Sequence, residues 1–359
     1  MKRILIFAAA VAVLLSCSSG DRTEFLLLGD IHYDRIENHD LDWLATTDDD
    51  LRQVATEYTV FTARYWKTFT SRLASVANSG MSAVLQMGDI SEGLAGSPQL
   101  AEQMANSCFD AIDGIGFNVP VVIAKGNHDI TGPGAREAFD KIYLPNMARL
   151  SGHKSLGSAN YATEIDGCLL VCYDPWDKDN DGLDALERNL ASSDAGYKFV
   201  MVHEPVIPIN ERCWHLLRRN DEKRERLLEI IAKERAIVLC AHMHLYSVVC
   251  RDTEYGPIVQ ILVNSVIRDS EMLEPGNVIT EYGPSLALNC PEWQPETMDQ
   301  RVAWLEKEAP YVTYFKQMDL PGYGVLSIDK SDGRMTLKYF AGYADEPYDV
   351  VDISSILER

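Results

Sequence analysis

Five short apolar runs in this chain each stop abruptly at a polar cluster, and that repetition limits the fold more than any other feature. "FLLLGDIH" begins at Phe25, "SAVLQMGDI" at Ser82, "VPVVIAKGNHD" at Val119, "YKFVMVHEP" at Tyr197 and "AIVLCAHMH" at Ala236. Each run has the length of a buried strand. Helix-like stretches lie between them, at Arg52 to Ala77, Pro98 to Gly114, Leu183 to Leu190 and Lys223 to Arg235. Strands alternating with helices predict an α/β core with largely parallel strands. Such cores assemble their sites just beyond the carboxyl ends of the strands. Asp30, His32, Asp89, Asn127, His128, Asp129, His203, His242 and His244 all fall at those ends.

Taken singly, each of these residues has an ordinary explanation. A lone histidine is more often a hydrogen-bonded structural residue than a ligand, and an aspartate after a strand often caps the next helix. The set has no such explanation, because five strand ends would each need a separate reason for placing ionisable groups at one rim. Carboxylate, imidazole and one amide, without thiolate, favour Mn, Fe, Zn or Co over Ca or Mg. Asp30, His32, Asp89, Asn127, His203, His242 and His244 are too many ligands for one tetrahedral ion that keeps an open position. They suit two ions sharing a carboxylate. Two ions about 3.5–4 Å apart clamp an in-line displacement at phosphorus and generate hydroxide at neutral pH. The spacing of His242 and His244 puts both side chains on one side of an extended segment.

The 359 residues are 46% hydrophobic and 24% charged, a globular balance that argues against wholesale disorder. The formal charge of -21, with no long basic run, argues against a nucleic-acid surface or a polybasic membrane binder. Residues 1–17 form a separate segment. Lys2 and Arg3 precede a short apolar run from Ile4 to Leu15, too short to span a bilayer as a helix. The run ends in "LLSC", Leu14 to Cys17, which resembles the lipobox of bacterial lipoproteins. That resemblance implies cleavage before Cys17, lipid on its sulfur and new N-terminus, and an exported protein anchored to the cell envelope. It would face the periplasm or the cell exterior. An ordinary signal peptide cut nearby is the alternative. Of the eight cysteines, seven remain once Cys17 is set aside, and an odd number cannot all pair within one chain. No CxxC pair occurs, so most read as small core residues.

"GDIH", "GDI", "GNHD", "VHEP" and "AHMH", in that order, resemble the calcineurin-like metallophosphoesterases. The resemblance runs from about Phe25 to Tyr246 and returns at Gly322 to Gly342, where two alternating runs around "KSDG" predict a closing hairpin. It implies a four-layer α-β-β-α sandwich, with two facing mixed β-sheets flanked by helices, over one domain from 22 to 359. It also implies roles. Asp30, His32 and His244 hold one metal, Asn127, His203 and His242 hold a second, and Asp89 bridges them. A bridging hydroxide attacks phosphorus. His128 contacts the phosphate or protonates the leaving oxygen, and Asp129 orients its ring. The implied activity is hydrolysis of phosphomonoesters or phosphodiesters.

The chain departs from the family pattern in places. It keeps His32, which the purple acid phosphatase branch lacks, and carries Glu92 where that branch has a tyrosine, so no tyrosinate-coloured iron site is expected. Ala241 replaces the usual glycine, and its methyl would be excluded if the backbone there needed positive φ. "DKDNDG", Asp177 to Gly182, begins like a calcium loop, but Arg188 stands where the closing glutamate belongs, so a solvated turn is expected. Tyr33 and Trp176 are candidates for stacking on substrate, although packing is the commoner role. Arg212, Arg218 and Arg219, after the fourth run, could meet a second phosphate or face solvent, and solvent is the expected role. Arg268 to Asp319 is a probable insertion with one helix, Glu296 to Glu308, that would act as a lid or a packed excursion. It also motivates a rival reading, a surface lipoprotein that keeps the scaffold for binding a ligand or partner. The signature of that rival would be lost ligands, and none of the seven is lost.

Overall fold

The protein is described by a computed structural model covering residues 22–46, 48–177, 182–268 and 278–358. The proposed leader and Cys17 lie outside these residues, as do the middle of the "DKDNDG" turn and part of the probable insertion. The strands, in chain order, are β1 (Arg22–Leu28), β2 (Ala83–Gln86), β3 (Val121–Ile123), β4 (Tyr161–Ile165), β5 (Cys168–Cys172), β6 (Tyr197–Met201) and β7 (Ile237–Cys240). They continue as β8 (Tyr246–Thr253), β9 (Gly256–Leu262), β10 (Val278–Ile279), β11 (Val312–Met318), β12 (Gly322–Asp329), β13 (Met335–Ala341) and β14 (Asp349–Asp352).

These strands form two sheets, ordered β14-β13-β12-β1-β2-β3 and β10-β11-β8-β9-β7-β6-β5-β4. The apolar runs supply parallel strands. β1, β2 and β3 run parallel in one sheet, and β5, β6, β7 and β9 in the other. The antiparallel strands come from hairpins such as β4–β5, β8–β9 and β12–β13. Both sheets are therefore mixed, with the parallel strands at one side of the six-stranded sheet, ending in edge strand β3, and in the interior of the eight-stranded one.

Alternation along each strand divides the core. In β5, Cys168, Leu170 and Cys172 join a cluster with Phe25, Leu27 and Val325 of the opposite sheet. Leu169 and Val171 turn instead to Leu186, Leu190, Leu227 and Ile231 on the helices Gly182–Ala191 and Asp221–Lys233. Phe25 meets Phe199 edge-on, 6.1 Å between ring centres, across the two sheets. Helices Thr59–Ala77 and Pro98–Asp113 cover the six-stranded sheet through Phe69, Leu73, Met104 and Phe109. The layers are thus helix, sheet, sheet, helix.

Local signals fix some helix starts. Ser97 accepts a hydrogen bond from the Leu100 N–H, with Pro98 in the first turn, and Asn220 accepts from Lys223 N–H. The helix expected from Arg52 to Ala77 is broken. It runs from Asp48 to Gln53, widens to a π-turn at Val54–Tyr58, and resumes at Thr59. In the segment after Arg268, β10 pairs with β11 and the helix starts at Met298 after a 3₁₀ turn, Pro295–Thr297. Cys108, Cys168, Cys172, Cys213, Cys240 and Cys290 are free thiols. No helix among the described residues is long and apolar enough to cross a membrane.

Candidate metal centre

All nine residues singled out at the strand ends meet at one end of the two sheets. Close backbone approach makes this possible. A Cβ on Gly126 would lie 2.1 Å from both the backbone nitrogen and the Oδ1 of Asp89. Gly88, at φ +92°, would press a Cβ to 2.8 Å from His203 Nδ1. His32, Asp89, His242 and His244 themselves sit at positive φ, at 46°, 52°, 72° and 52°. Side chains other than glycine seldom adopt that region, and such strain gathers where it aims functional groups.

Ala241 is not among the positive-φ residues, so its methyl is accommodated at no backbone cost. The tight turn comes one residue later. The Met243 N–H donates to the Ala241 carbonyl at 2.8 Å, with His242 between them. The segment is therefore not extended, and the two histidines aim apart. His242 Nδ1 lies 3.1 Å from His203 Nε2, while His244 Nε2 lies 3.1 Å from His32 Nε2.

Two groups of donor atoms result. Asp30, His32 and His244 bring ligand atoms within 4.8 Å of one another, and Asp89, His203 and His242 do the same. Asn127 joins the second group, its Oδ1 3.1 Å from His203 Nε2. Asp89 Oδ2 lies 2.9 Å from His203 Nε2 and 3.9 Å from His32 Nε2, so it stands between the groups. A third set, His32, Asp89 and His128, overlaps both.

The far sides of the rings are occupied. His32 donates from Nδ1 to Glu92 Oε2 at 2.7 Å, and His203 donates from Nδ1 to the Met87 carbonyl at 2.8 Å. Each Nε2 thereby faces inward, where its lone pair would be offered to a metal that displaces any proton held there. Asp30 accepts the His242 N–H on both oxygens at 3.0 Å.

The charge pattern of the cleft supports the same use. Burial pushes the Asp30 carboxyl up, and pushes His32, His242 and His244 down so that they stay neutral. Burial would also lower His203, but the Asp89 carboxylate lifts it to about 10. Asp89 is buried too, yet His203 and His128 hold it below the usual carboxylate range. Inward ring nitrogens, two carboxylates and the absence of thiolate fit divalent cations.

Asp129 does not orient His128. Its oxygens accept from the N–H groups of Gly126, Asp89, Ile90 and Ser91, so it pins the loop that carries Asp89. The carboxyl is raised to about 6 by burial and by Asp89. The His128 ring is held instead by the Glu92 carbonyl, which accepts from Nδ1 at 2.7 Å. The ring keeps 23% of its surface exposed at the mouth, while the His128 N–H donates to Asp89 Oδ1 at 2.7 Å.

Glu92, Tyr58 and Trp214 were not foreseen as parts of the site. Glu92 is fully buried behind His32 and close to His128, and burial raises its carboxyl well above the usual range. Its only sequence signal was its place three residues after Asp89. Tyr58 stacks on His32 at 4.3 Å, delivered by the π-turn, and Trp214 stacks on His242 at 5.2 Å. Nothing local marks either one. Trp176 tilts against His203 at 6.4 Å, whereas Tyr33 is buried edge-on against Trp66 at 4.8 Å. Arg219 is exposed, but Arg218 lies over the Trp214 ring and Arg212 over Trp293.

The sequence is similar to the calcineurin-like phosphoesterase family model over residues 23–246. No curated protein sequence matches the chain. Among solved structures, a purple acid phosphatase from yellow lupin (Lupinus luteus) is similar at 14% identity and TM-score 0.55, covering 92% of this chain. This chain spans 53%, about half, of that protein's length. A dimetal phosphatase from Danio rerio is similar at 13% identity and TM-score 0.52, with 92% of this chain and 98% of that one covered. A protein described as the anchor in the inner membrane complex of Plasmodium is similar at 11% identity and TM-score 0.51, with 92% and 88% covered. At these identities the likeness is one of fold.

Proposed function

The chain belongs to the calcineurin-like phosphoesterase family, and from that membership we propose that it hydrolyses phosphoesters with two divalent transition-metal cations. One observation carries the proposal. Asp89 stands between two sets of inward-facing donors, close to His203 on one side and facing His32 on the other. In this reading Asp30, His32 and His244 hold one cation, Asn127, His203 and His242 the other, and Asp89 serves both. The cations would offset phosphate charge and acidify water.

The chain's own groups prepare the rest. Glu92 and the Met87 carbonyl fix the His32 and His203 rings. Asp129 holds the Asp89 loop rigid through four backbone N–H groups. His128, fixed at Nδ1 and open at the mouth, presents Nε2 to a phosphoryl or leaving oxygen. The rival use of the scaffold for binding alone loses support because all seven ligand positions converge.

The test is reconstitution of metal-free protein with Mn, Zn, Fe or Ni, then assay on aryl phosphomonoesters and aryl phosphodiesters. About two ions per chain and turnover of one ester class are expected. Asp89→Asn is expected to lose metal and turnover together. Metal-replete protein inert on both ester classes would overturn the proposal. We further propose that Cys17 carries lipid, on the strength of the sequence before it. Cys17→Ala should then release the protein from the membrane fraction, and unchanged fractionation would count against it.

A further inference from the structure

The segment after β10 builds a wall beside His242, and its core is an unusual arginine. Arg301 is fully buried, and among the described residues its guanidinium makes no ion pair. It donates instead to two carbonyls, Glu211 and Trp293, both at 2.7 Å. These carbonyls belong to segments far apart in sequence, the loop after "VHEP" and the turn before helix Met298–Glu308. Holding a charge in the interior is costly unless it is well bonded. Here that cost fixes one wall to the other.

What is fixed is a rim of two arginines on two indoles. The Trp293 ring lies between partners, with Arg301 at 5.1 Å and Arg212 at 5.7 Å. The Trp214 ring carries Arg218 at 5.3 Å and stacks on His242. Trp214 and Trp293 meet edge-on at 6.0 Å. Each ring already has three partners, one of them the other indole. Arg212 is exposed and Arg218 partly so, and among the described residues neither makes an ion pair. That is unexpected in a chain with 54 Asp and Glu against 33 Lys and Arg. Glu204 acts on Arg218 only at a distance, and it lies 4.0 Å from His242 Nε2. Cation–π contact orients each guanidinium while leaving its donors unspent.

We infer that Arg212 and Arg218 receive a second phosphoryl group of the substrate, beside the phosphorus placed at the metal centre. This rests on the phosphoesterase reading and narrows it to substrates with two phosphoryl groups. Two guanidinium forks match a dianion, where a carboxylate would be answered by one. Trp214 links Arg218 to His242, and Arg301 holds the Trp293 turn to the loop that carries Arg212, so binding there orders little.

The test compares fructose 1,6-bisphosphate with fructose 6-phosphate on metal-reconstituted protein. Affinity is read from tryptophan fluorescence, since Trp214 and Trp293 underlie the site, and turnover is read separately as released phosphate. Wild type should bind the bisphosphate roughly ten- to a hundredfold more tightly, as lost or gained charge-assisted contacts usually weigh. In the exposed double variant Arg212→Gln, Arg218→Gln that ratio should fall towards one. Arg149→Gln, a surface change on helix Leu144–Ser151, should keep it. Equal affinity for both sugars in wild type, or an unchanged ratio in the double variant, would overturn the inference. Turnover with no such discrimination would sink the rim and leave the hydrolase. Discrimination in binding without any turnover would sink the hydrolase and leave the rim.

Discussion

Glu92 shows how much of a metal site rests on one residue that touches no metal. Its Oε2 accepts from His32 Nδ1, its backbone carbonyl accepts from His128 Nδ1, and its Oε1 has no partner although it is buried. A carboxylate behind a ligating imidazole raises the basicity of the ring and locks its tautomer, and the cations of the proposed function would favour that ionised form of Glu92 against its burial. Glu92→Gln keeps the shape and removes this acidic acceptor. We expect metal affinity to fall roughly tenfold or more, within the range usual for such partners, with the fold preserved. Calorimetric titration of metal-free protein measures this, and an affinity equal to wild type would show that His32 needs no anionic support. The sequence placed His32 at the rim but could not show Glu92, because the 2.7 Å contact spans sixty residues and depends on the positive φ of His32. The role expected of Asp129 failed for a related reason. Adjacency in "GNHD" suggested a hydrogen bond to the neighbouring ring, but four unpaired backbone N–H groups nearby compete for the same carboxylate and win.

The strands were the legible elements, since a buried strand must be apolar and must end where polar groups begin. What alternation could not show was the backbone at the strand ends. The turn at His242 and the π-turn at Val54–Tyr58 break regular geometry to serve a distant partner, so no local propensity announces them. The segment carrying Trp214 offers a pH test at this level. His215 is buried on the same loop, donates from Nδ1 to the Cys213 carbonyl, and meets Trp304 edge-on at 5.5 Å. Burial, aided by Arg224, lowers it from 6.5 to about 3. Between those values the unfolded chain binds a proton that the folded chain refuses. Stability from this residue is therefore present above about pH 6.5 and is lost as pH falls towards 3. His215→Phe keeps a ring and removes the titration. Its urea midpoint should fall less steeply than wild type from pH 6.5 to pH 4, whatever the offset between them. Parallel curves would show that His215 is protonated or released in the fold.

At the scale of the whole molecule, two opposite charges act on a phosphate at different ranges. The chain carries a formal charge of -21, spread over its surface. The cleft gathers divalent cations, in the proposed function, together with His128 at its mouth. Within contact distance the cleft attracts, and the low-dielectric walls of the sandwich strengthen that attraction. Farther out, an approaching anion meets the net field of the protein, which repels it. The balance depends on salt, because the screening length falls from about 30 Å at 0.01 M to about 10 Å at 0.1 M. Screening therefore removes the distant repulsion first and leaves the close attraction nearly intact. For a dianionic aryl phosphate, kcat/KM should rise a few-fold as ionic strength goes from about 10 to about 150 mM, then level off, with kcat almost constant. A protein that steers its substrate electrostatically shows the opposite slope. A steady fall in kcat/KM across that range would mean that the cleft already governs the encounter from afar, and that the acidic surface plays no part in choosing what arrives.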